Sequence, residues 1–234
     1  MADVLGYRRH APGTQPDYLH PPYRSTVKRA PTKPLVPLVQ TLSEVTGPIF
    51  GGSRVPSANF DLTKQHAGTS IGERIIVSGR VMDEDGRPLS DALVELWQCN
   101  SAGRYRHEID QHDAPLDPNF SGLGHIVTDA AGSYRFITIR PGAYPWPNHK
   151  NAWRPSHLHF SAFGRGFVQR LVTQMYFPGD PLLPLDPIFN CVNDPAARDR
   201  MIAAFDIDST VPDFALSYKF DIVLRGRNQT PMGL

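Results

Sequence analysis

The pattern of hydrophobic and polar positions changes near residue 70. From Glu73 onward, short runs rich in β-branched residues alternate with Gly, Pro and Asp, as in strands joined by turns. The runs predict strands at Arg74–Val81, Ala92–Gln98, Ile126–Thr128, Tyr134–Ile139, His157–Phe163, Val168–Tyr176 and Ser217–Leu224, and a helix at Pro195–Ala204. Short strands separated by Asp-Gly and Ala-Gly turns indicate an all-β fold, a mostly antiparallel β-sandwich.

The first 70 residues have little periodic pattern beyond a possible short helix at Val39–Val45. Prolines are concentrated in the first fifty residues and again between Pro141 and Pro187. Because proline blocks long helices and favours extended or turning backbone, we expect long Pro-rich loops and few short helices. We therefore predict an extended N-terminal arm, residues 1–70, that packs on a partner subunit, and a β-sandwich domain, residues 71–234.

Composition narrows the possible partners. The 234 residues include 24 Lys and Arg against 23 Asp and Glu, and this net charge of +1 gives no field that would gather nucleic acid or anionic lipid. The N-terminus lacks a signal-peptide pattern and no run approaches the ~20 apolar residues of a membrane helix, so we expect a cytoplasmic protein. Its two cysteines, Cys99 and Cys191, are expected to be free thiols.

The segment Trp153–Phe160 contains a His-x-His pair, His157 and His159, within a predicted strand. Because side chains alternate along a strand, both imidazoles should lie on one face and can reach a single metal ion. Imidazole is the commonest protein ligand for metals. Most such pairs are nevertheless surface or hydrogen-bonded histidines, so the pair alone leaves both interpretations open.

Tyrosines, rather than acidic residues, accompany this pair. No Asp or Glu lies near it to complete a set of two histidines and one carboxylate, but Tyr105 and Tyr144 each follow the end of a predicted strand. Phenolate is a hard anionic donor that suits Fe(III), and a bound cation can hold a phenol deprotonated despite its free pKa of about 10. Tyr105 also fits an aromatic cap on the sandwich, Tyr144 a ring packed between prolines, and Arg154 an ordinary surface cation.

Several stretches of the chain together resemble a known family, the intradiol ring-cleavage dioxygenases. In chain order they are IGERIIVSGRVMDEDGRPLSDALVELWQCNSAGRYRH, APLDPNF, TIRPGAYPW, WRPSHLHF, LVTQMYFPGDPL and YKFDIVLRGR. The resemblance covers about Pro31 to Arg227, and the joint occurrence of these stretches in this order is a specific signal. Within the family, the chain is most similar to the iron-carrying beta subunits of enzymes that cleave protocatechuate.

The resemblance implies a site for one non-haem Fe(III) per chain. Carried over residue by residue, the family's iron ligands fall on Tyr105, Tyr144, His157 and His159. Tyr144 is further implied to take part in catalysis, as the ligand that gives way to substrate. The related alpha subunits resemble this chain in fold but do not carry the iron ligands.

The same resemblance implies a set of residues around the substrate. Arg154 would stabilise negative charge that develops on the substrate, and Gln174 would hold its guanidinium in place. Gln174 also fits a polar residue on the solvated face of a strand. Trp146 would line the pocket, Ile188 would form its wall, and Tyr23 would reach the substrate carboxylate.

The implied activity is cleavage of protocatechuate by O2 to 3-carboxy-cis,cis-muconate, in the beta-ketoadipate pathway of aromatic-compound degradation. A homologous alpha subunit is the implied partner. Catechol or hydroxyquinol is the alternative substrate, but relatives that use these usually carry a long helical N-terminal domain, unlike the Pro-rich arm here. A metal-free β-sandwich that serves as a structural subunit is the alternative of another class, and the two histidines and two tyrosines argue against it.

Overall fold

The computed structural model describes residues 10–36, 58–164 and 170–233. Within these ranges the strands, numbered in chain order, are β1 Arg74–Met82, β2 Leu93–Trp97, β3 Leu123–Val127, β4 Ser133–Ile139, β5 Tyr144–Pro145, β6 Trp153–Arg154, β7 His157–Phe163, β8 Arg170–Tyr176, β9 Ala204–Phe205, β10 Leu216–Lys219 and β11 Ile222–Val223. The helical segments there are short: Thr26–Arg29, Leu62–Lys64, Leu183–Leu185, Pro187–Asn190 and Pro195–Asp199. None of these helices is long and apolar enough to cross a bilayer.

The strands form two main sheets. In the larger sheet, β1 pairs antiparallel with β4 and parallel with both β10 and β11, while β9 extends the sheet beyond β10. The second sheet is antiparallel throughout, in the order β3-β2-β7-β8. The strands β5 and β6 form a separate small ribbon. The predicted all-β, mostly antiparallel sandwich is confirmed, and the parallel pairing of β1 is an addition that the sequence pattern did not indicate.

The main hydrophobic core lies between these two sheets. Alternate residues of β7, Leu158, Phe160 and Ala162, are buried in it, together with Val77 of β1 and Phe136 of β4. Full burial of a large apolar side chain contributes about 1.5–3 kcal/mol, so the packed face holds β7 firmly in place. The intervening residues of β7, which include both histidines of the His-x-His pair, therefore project from the opposite face of that sheet.

The predicted strand Ser217–Leu224 is wrong as a single element, because it is divided into β10 and β11. At the break, the side chain of Asp221 takes over a ladder position, since its Oδ1 accepts the Arg80 N–H at 2.9 Å. A carboxylate in the place of a backbone carbonyl interrupts the regular strand. Elsewhere the differences are at the ends: β3 starts three residues before the predicted Ile126, and residues 165–169, where β8 was predicted to begin, lie outside the described ranges.

The predicted helix Pro195–Ala204 is too long, because the helix ends at Asp199. The residues that follow pair with the end of β8 instead. Tyr176 donates its N–H to Met201 O at 2.8 Å and accepts the Ala203 N–H at 2.9 Å. Sheet-like tertiary pairing therefore replaces the last helical turns. The helix predicted at Val39–Val45 lies outside the described residues.

Part of the predicted N-terminal arm packs on the sandwich itself. Leu62 is fully buried in the main core, and Asn59 exchanges backbone hydrogen bonds with His125 of β3 at 2.9 and 3.0 Å. Whether the arm packs on a partner stays a prediction. Cys99 and Cys191 are both buried and free, as predicted.

Candidate metal centre and substrate pocket

The outer face of the four-stranded sheet carries the histidine pair. In the pairing of β7 with β8, His157 lies opposite Tyr176 and His159 opposite Gln174, so all four side chains share one face. The indole of Trp97, on β2, stacks on the His159 ring at 4.9 Å between centroids and 5° between planes. The two imidazole centroids are 4.9 Å apart. As predicted from the alternation of side chains, the two rings lie on the same face.

Two loops bring Tyr105 and Tyr144 to this face. The loops meet at Asn100, whose backbone oxygen accepts the N–H groups of Gly103 and Gly142, each at 3.0 Å. A side chain at Gly103 would collide with the backbone of the Tyr144 loop, and one at Gly142 would collide with the backbone of the Tyr105 loop. Two glycines thus permit the close approach of the two tyrosine-bearing segments.

The loop that carries Tyr105 is organised around the carboxylate of Asp110. One oxygen of Asp110 accepts the Tyr105 N–H at 2.7 Å, and the other contacts His112 Nδ1 at 2.7 Å. Arg104 donates from its guanidinium to the His112 carbonyl, which closes the loop. The backbone position of Tyr105 is therefore fixed from within its own loop.

Four aromatic rings converge on one small volume. Tyr105 and Tyr144 meet edge to face with centroids 5.5 Å apart, and Tyr144 and His157 are also 5.5 Å apart. Tyr105 Oη lies 3.1 Å from His159 Nε2. The four rings are thus in mutual contact, and one phenol oxygen and one imidazole nitrogen face each other within the cluster.

The histidines present the form of imidazole that binds metals. His157 Nδ1 donates to the Pro155 carbonyl at 2.7 Å, which leaves the lone pair on Nε2, and that Nε2 is buried without a hydrogen-bond partner. Burial, reinforced by the Arg154 charge, holds the pKa of His157 well below its usual range and lowers the pKa of His159 to about 3. Both rings are therefore neutral near neutral pH.

The phenols need a cation to become anions. Burial raises the pKa of Tyr144, and burial together with the neighbouring Tyr144 raises the pKa of Tyr105 well above its ordinary value. A hard, highly charged cation reverses this preference by replacing the phenolic protons. In the described residues no group of three or more His, Cys, Asp and Glu side chains is arranged to hold a metal ion. The mixed set of tyrosines and histidines thus fits a ferric ion by the hardness of its oxygen donors.

Arg154 is almost completely buried at the edge of this cluster, with 2% of its side chain exposed. Its Nη2 donates to Gln174 Oε1 at 2.6 Å and to Tyr176 Oη at 3.2 Å. Nη1 lies 3.5 Å from Tyr144 Oη. The interpretation of Arg154 as an ordinary surface cation is therefore wrong, and so is that of Gln174 as a residue on a solvated face, since it is 3% exposed.

Of the remaining residues expected at the substrate, Trp146 lies beside Arg154 and Tyr23 lies beside Trp146. The Arg154 guanidinium lies 5.6 Å from the centre of the Trp146 ring. The Tyr23 ring also contacts Trp146, with the two ring centroids 5.4 Å apart. Tyr23 reaches this place because Ser25 donates its N–H to Asn148 Oδ1 at 3.0 Å. Ile188 is 2% exposed, in the helix Pro187–Asn190. The structure brings Tyr23, Trp146 and Arg154 into one row.

Sequence reasoning missed three residues that surround these side chains. Tyr176 lies two positions after Gln174 on the same strand face, and this spacing could have identified it. Asp186 forms an ion pair with Arg154 at 3.0 Å, and Asp110 supports Tyr105. Both carboxylates come from loops, where neither alternation nor a motif marks them.

Comparison with known proteins identifies the family of the chain. A family model described as Dioxygenase matches residues 45–226, and another, described as Protocatechuate 3,4-dioxygenase beta subunit N terminal, matches residues 7–41. The chain is 58% identical over 221 residues to the protocatechuate 3,4-dioxygenase beta chain of Burkholderia cepacia, with 94% of both chains covered.

More distant relatives extend the similarity. The protocatechuate 3,4-dioxygenase alpha chain of Burkholderia cepacia is 28% identical over 202 residues, which cover 82% of this chain and 96% of that one. Among solved structures, the dioxygenase domain of a dioxygenase carbohydrate-binding protein fusion from Streptomyces sp. SirexAA-E matches with a TM-score of 0.52 and 28% identity, over 77% of this chain and 94% of that one. The chain belongs to the intradiol ring-cleavage dioxygenase family.

Proposed function

We propose that this chain is the iron-carrying beta subunit of a protocatechuate 3,4-dioxygenase. The enzyme opens protocatechuate with O2 between its two hydroxyl-bearing carbons and gives 3-carboxy-cis,cis-muconate, a step in aromatic-compound degradation by the beta-ketoadipate pathway. The observation that carries the proposal is the convergence of two phenols and two imidazoles in a chain 58% identical, over 94% of its length, to a beta chain of that enzyme.

One Fe(III) per chain is proposed to bind at Tyr105, Tyr144, His157 and His159. Support comes from the buried and unpartnered Nε2 of His157 and from the 3.1 Å approach of Tyr105 Oη to His159 Nε2. Bound there, Fe(III) would supply Lewis-acid chemistry towards the hydroxyl-bearing carbons of the substrate.

Residues of the chain itself are proposed to transfer a proton, stabilise negative charge and enclose the substrate. As a phenolate, Tyr144 would accept a proton from a substrate hydroxyl, and Arg154 Nη1, 3.5 Å from Tyr144 Oη, favours negative charge in the same volume. A guanidinium keeps its charge at any working pH, and a fixed donor acts strongly on developing negative charge in a site that excludes water. Gln174 holds the guanidinium, while Trp146, Tyr23 and Ile188 are proposed to enclose the substrate ring.

A homologous alpha subunit is proposed as the partner. Alpha and beta chains exist as separate relatives in Burkholderia cepacia, and both resemble this chain. In the described part of the arm, Tyr18 is 63% exposed, Leu19 53% and Val27 63%. Such side chains are suited to burial against another subunit, which supports the proposal that the arm, 1–70, packs on a partner of the catalytic sandwich, 71–234.

The iron site is tested on protein co-produced with its alpha subunit. We expect about one iron per beta chain and a red-brown colour, because a tyrosinate bound to Fe(III) absorbs visible light by charge transfer to the metal. The substitution Tyr105→Phe should weaken and shift the visible band. Zinc in place of iron, or a colourless protein with full iron content, would show that the tyrosines are not ligands.

Substrate choice is tested by oxygen uptake with protocatechuate, catechol and hydroxyquinol. We expect kcat/KM to be highest for protocatechuate, since the similarity to a beta chain of that enzyme covers nearly the whole chain. A higher value for catechol or hydroxyquinol would assign the chain to the alternative reaction. The partner is tested by producing this chain alone, which should aggregate unless the alpha subunit is present; a monodisperse and fully active single chain would contradict the proposed assembly.

A further inference from the structure

We infer that Asp186 is a positioning residue that fixes the direction in which Arg154 presents its free edge to the reaction site. This inference rests on the proposed function of Arg154. Asp186 follows the loop after β8 and precedes the helix Pro187–Asn190. It lies outside the set of residues that the sequence had suggested.

Both carboxylate oxygens of Asp186 accept hydrogen bonds from the Arg154 guanidinium. Arg154 Nε donates to Oδ1 at 3.1 Å and Nη2 donates to Oδ2 at 3.0 Å. Two parallel hydrogen bonds of this kind fix the plane of the guanidinium as well as its position. Asp186 is 0% exposed, so water does not compete for these bonds.

The other contacts of Arg154 lie along the same edge. Nη2 also meets Gln174 Oε1 at 2.6 Å and Tyr176 Oη at 3.2 Å. Nη1 is turned the other way, towards Tyr144 Oη at 3.5 Å. The arrangement thus divides the guanidinium into an anchored edge, Nε and Nη2, and a presented nitrogen, Nη1.

The carboxylate is itself held by the segment around it. Asp186 Oδ1 accepts the Ile188 N–H at 3.3 Å, and the Asp186 carbonyl accepts the Asn190 side-chain amide at 2.8 Å. Asp186 also donates its own N–H to Leu182 O at 3.1 Å. Because Ile188 is proposed to form the pocket wall, one carboxylate ties the direction of Arg154 to the position of that wall.

Charge acts in the same sense as geometry. A guanidinium is charged at any working pH, and the buried Asp186 carboxylate, 3.0 Å from Nη2, compensates that charge. The guanidinium therefore keeps its full charge in a buried place. A pair of this kind can also serve stability alone, and the test must separate that role from positioning.

The test compares four proteins produced with the alpha subunit: Asp186→Asn, Arg154→Ala, the double variant, and Asp194→Asn as the matched control. Asp194 also precedes a proline and caps a short helix, since its side chain accepts the Ala197 N–H at 3.0 Å, but it caps the helix Pro195–Asp199. Asn keeps the shape of Asp and places an amide donor against the guanidinium, which disrupts the two-point grip.

We expect Asp186→Asn to retain iron and the visible band, and to lower kcat about 10- to 100-fold, as is typical when a supporting partner is changed. The KM for protocatechuate should change much less. The double variant should be no slower than Arg154→Ala, because Asp186 acts only through Arg154 and the two losses are then not additive. Asp194→Asn should keep kcat within about twofold of the parent, as expected for a substitution at an unrelated cap.

Three results would overturn the inference: unchanged kcat in Asp186→Asn, multiplied losses in the double variant, or loss of iron and colour from Asp186→Asn. If Asp186→Asn does not fold, Tyr176→Phe takes its place, because it removes one hydrogen bond of Arg154 Nη2 with almost no change of volume. The inference then requires that Tyr176→Phe lowers kcat while iron content and KM are preserved. Failure of the proposed function is recognised separately, since the parent protein would then lack iron or fail to consume oxygen with protocatechuate. An Arg154→Ala protein as fast as the parent would remove both the role of Arg154 and that of Asp186.

Discussion

The substitution Arg154→Ala separates the chemistry of the proposed site from its assembly. Arg154 does not belong to the four proposed ligands. Its side chain approaches them through Nη1, 3.5 Å from Tyr144 Oη, and its backbone pairs with that of Tyr144 in the β5–β6 ribbon, which a change of side chain leaves in place. The variant should therefore keep its iron and most of its resting visible spectrum. Turnover should fall, because the charge that faces the substrate is gone.

Arg154→Ala should change both the barrier to turnover and the free energy of folding. Removal of one oriented donor at a developing negative charge costs about 3 kcal/mol in the barrier, or roughly 100- to 1000-fold in kcat. The same change leaves the fully buried Asp186 carboxylate without its cation, and breaking a buried ion pair in this way costs about 3–5 kcal/mol of folding free energy. At ~2–4 °C per kcal/mol for a chain of this size, Tm should drop by about 6–20 °C.

Arg154→Lys should recover part of the stability and little of the rate. A lysine ammonium can pair with Asp186, but it cannot at the same time bond Gln174 and present a second nitrogen towards Tyr144. Arg170→Ala is the control, because Arg170 is a half-exposed cation whose ion pair with Glu95 at 3.4 Å contributes little. Its loss should leave kcat close to that of the parent.

The assay is oxygen uptake with protocatechuate, together with iron content, the visible spectrum and Tm for each protein. An Arg154→Ala enzyme that turns over within a few-fold of the parent would make the guanidinium a bystander. A variant that loses its iron would make Arg154 a structural support of the metal site. In either case the role assigned to this residue would be wrong.

Two further substitutions, each with a control, test the proposed iron site and the packing of the larger sheet. His159→Ala should sharply reduce iron retention, because three donors hold a hard cation less well than four. His66→Ala, which removes a histidine bonded to Ser121 Oγ at 2.7 Å, should keep full iron content, and the iron content of both proteins is the measurement. Gly79→Ala should lower the free energy of unfolding by about 1–3 kcal/mol, because its methyl would collide with the carbonyl of Phe220, which lies between β10 and β11. Gly86→Ala, at a φ of +77° with open space around it, should cost only about 1 kcal/mol, and equal denaturant midpoints for the two glycine variants would refute the collision.

Local periodicity was enough to place part of the site. The alternation in β7 put His157 and His159 on one face, and the same rule applied to β8 puts Gln174 beside Tyr176. These placements follow from the strand period alone, since residues two positions apart on a strand lie on the same face of the sheet. Tyr105 and Tyr144 were identified by their position after strands and by resemblance, and the structure brings their rings to 5.5 Å.

What the sequence did not predict depends on contacts between distant segments. The helix at Pro195 stops early because Met201 and Ala203 pair with Tyr176, a residue some 25 positions away that no local pattern connects to them. The role proposed for Asp186 also depends on a distant contact, because its carboxylate bonds Arg154 only when the loop after β8 packs beside β6. Loop carboxylates are common in any sequence, and only the buried cation marks this one.

The scatter of the proposed iron ligands along the chain has a consequence for folding. Tyr105 and His159 are separated by 54 positions, yet their Oη and Nε2 atoms lie 3.1 Å apart. An unfolded chain offers no comparable cluster, so iron would bind the native state far more tightly than the unfolded one. By mass action, a ligand at a hundred times its Kd adds about 2.7 kcal/mol to the free energy of unfolding. The metal that serves the reaction would then also stabilise the fold, and the fraction of folded chain would depend on the supply of iron.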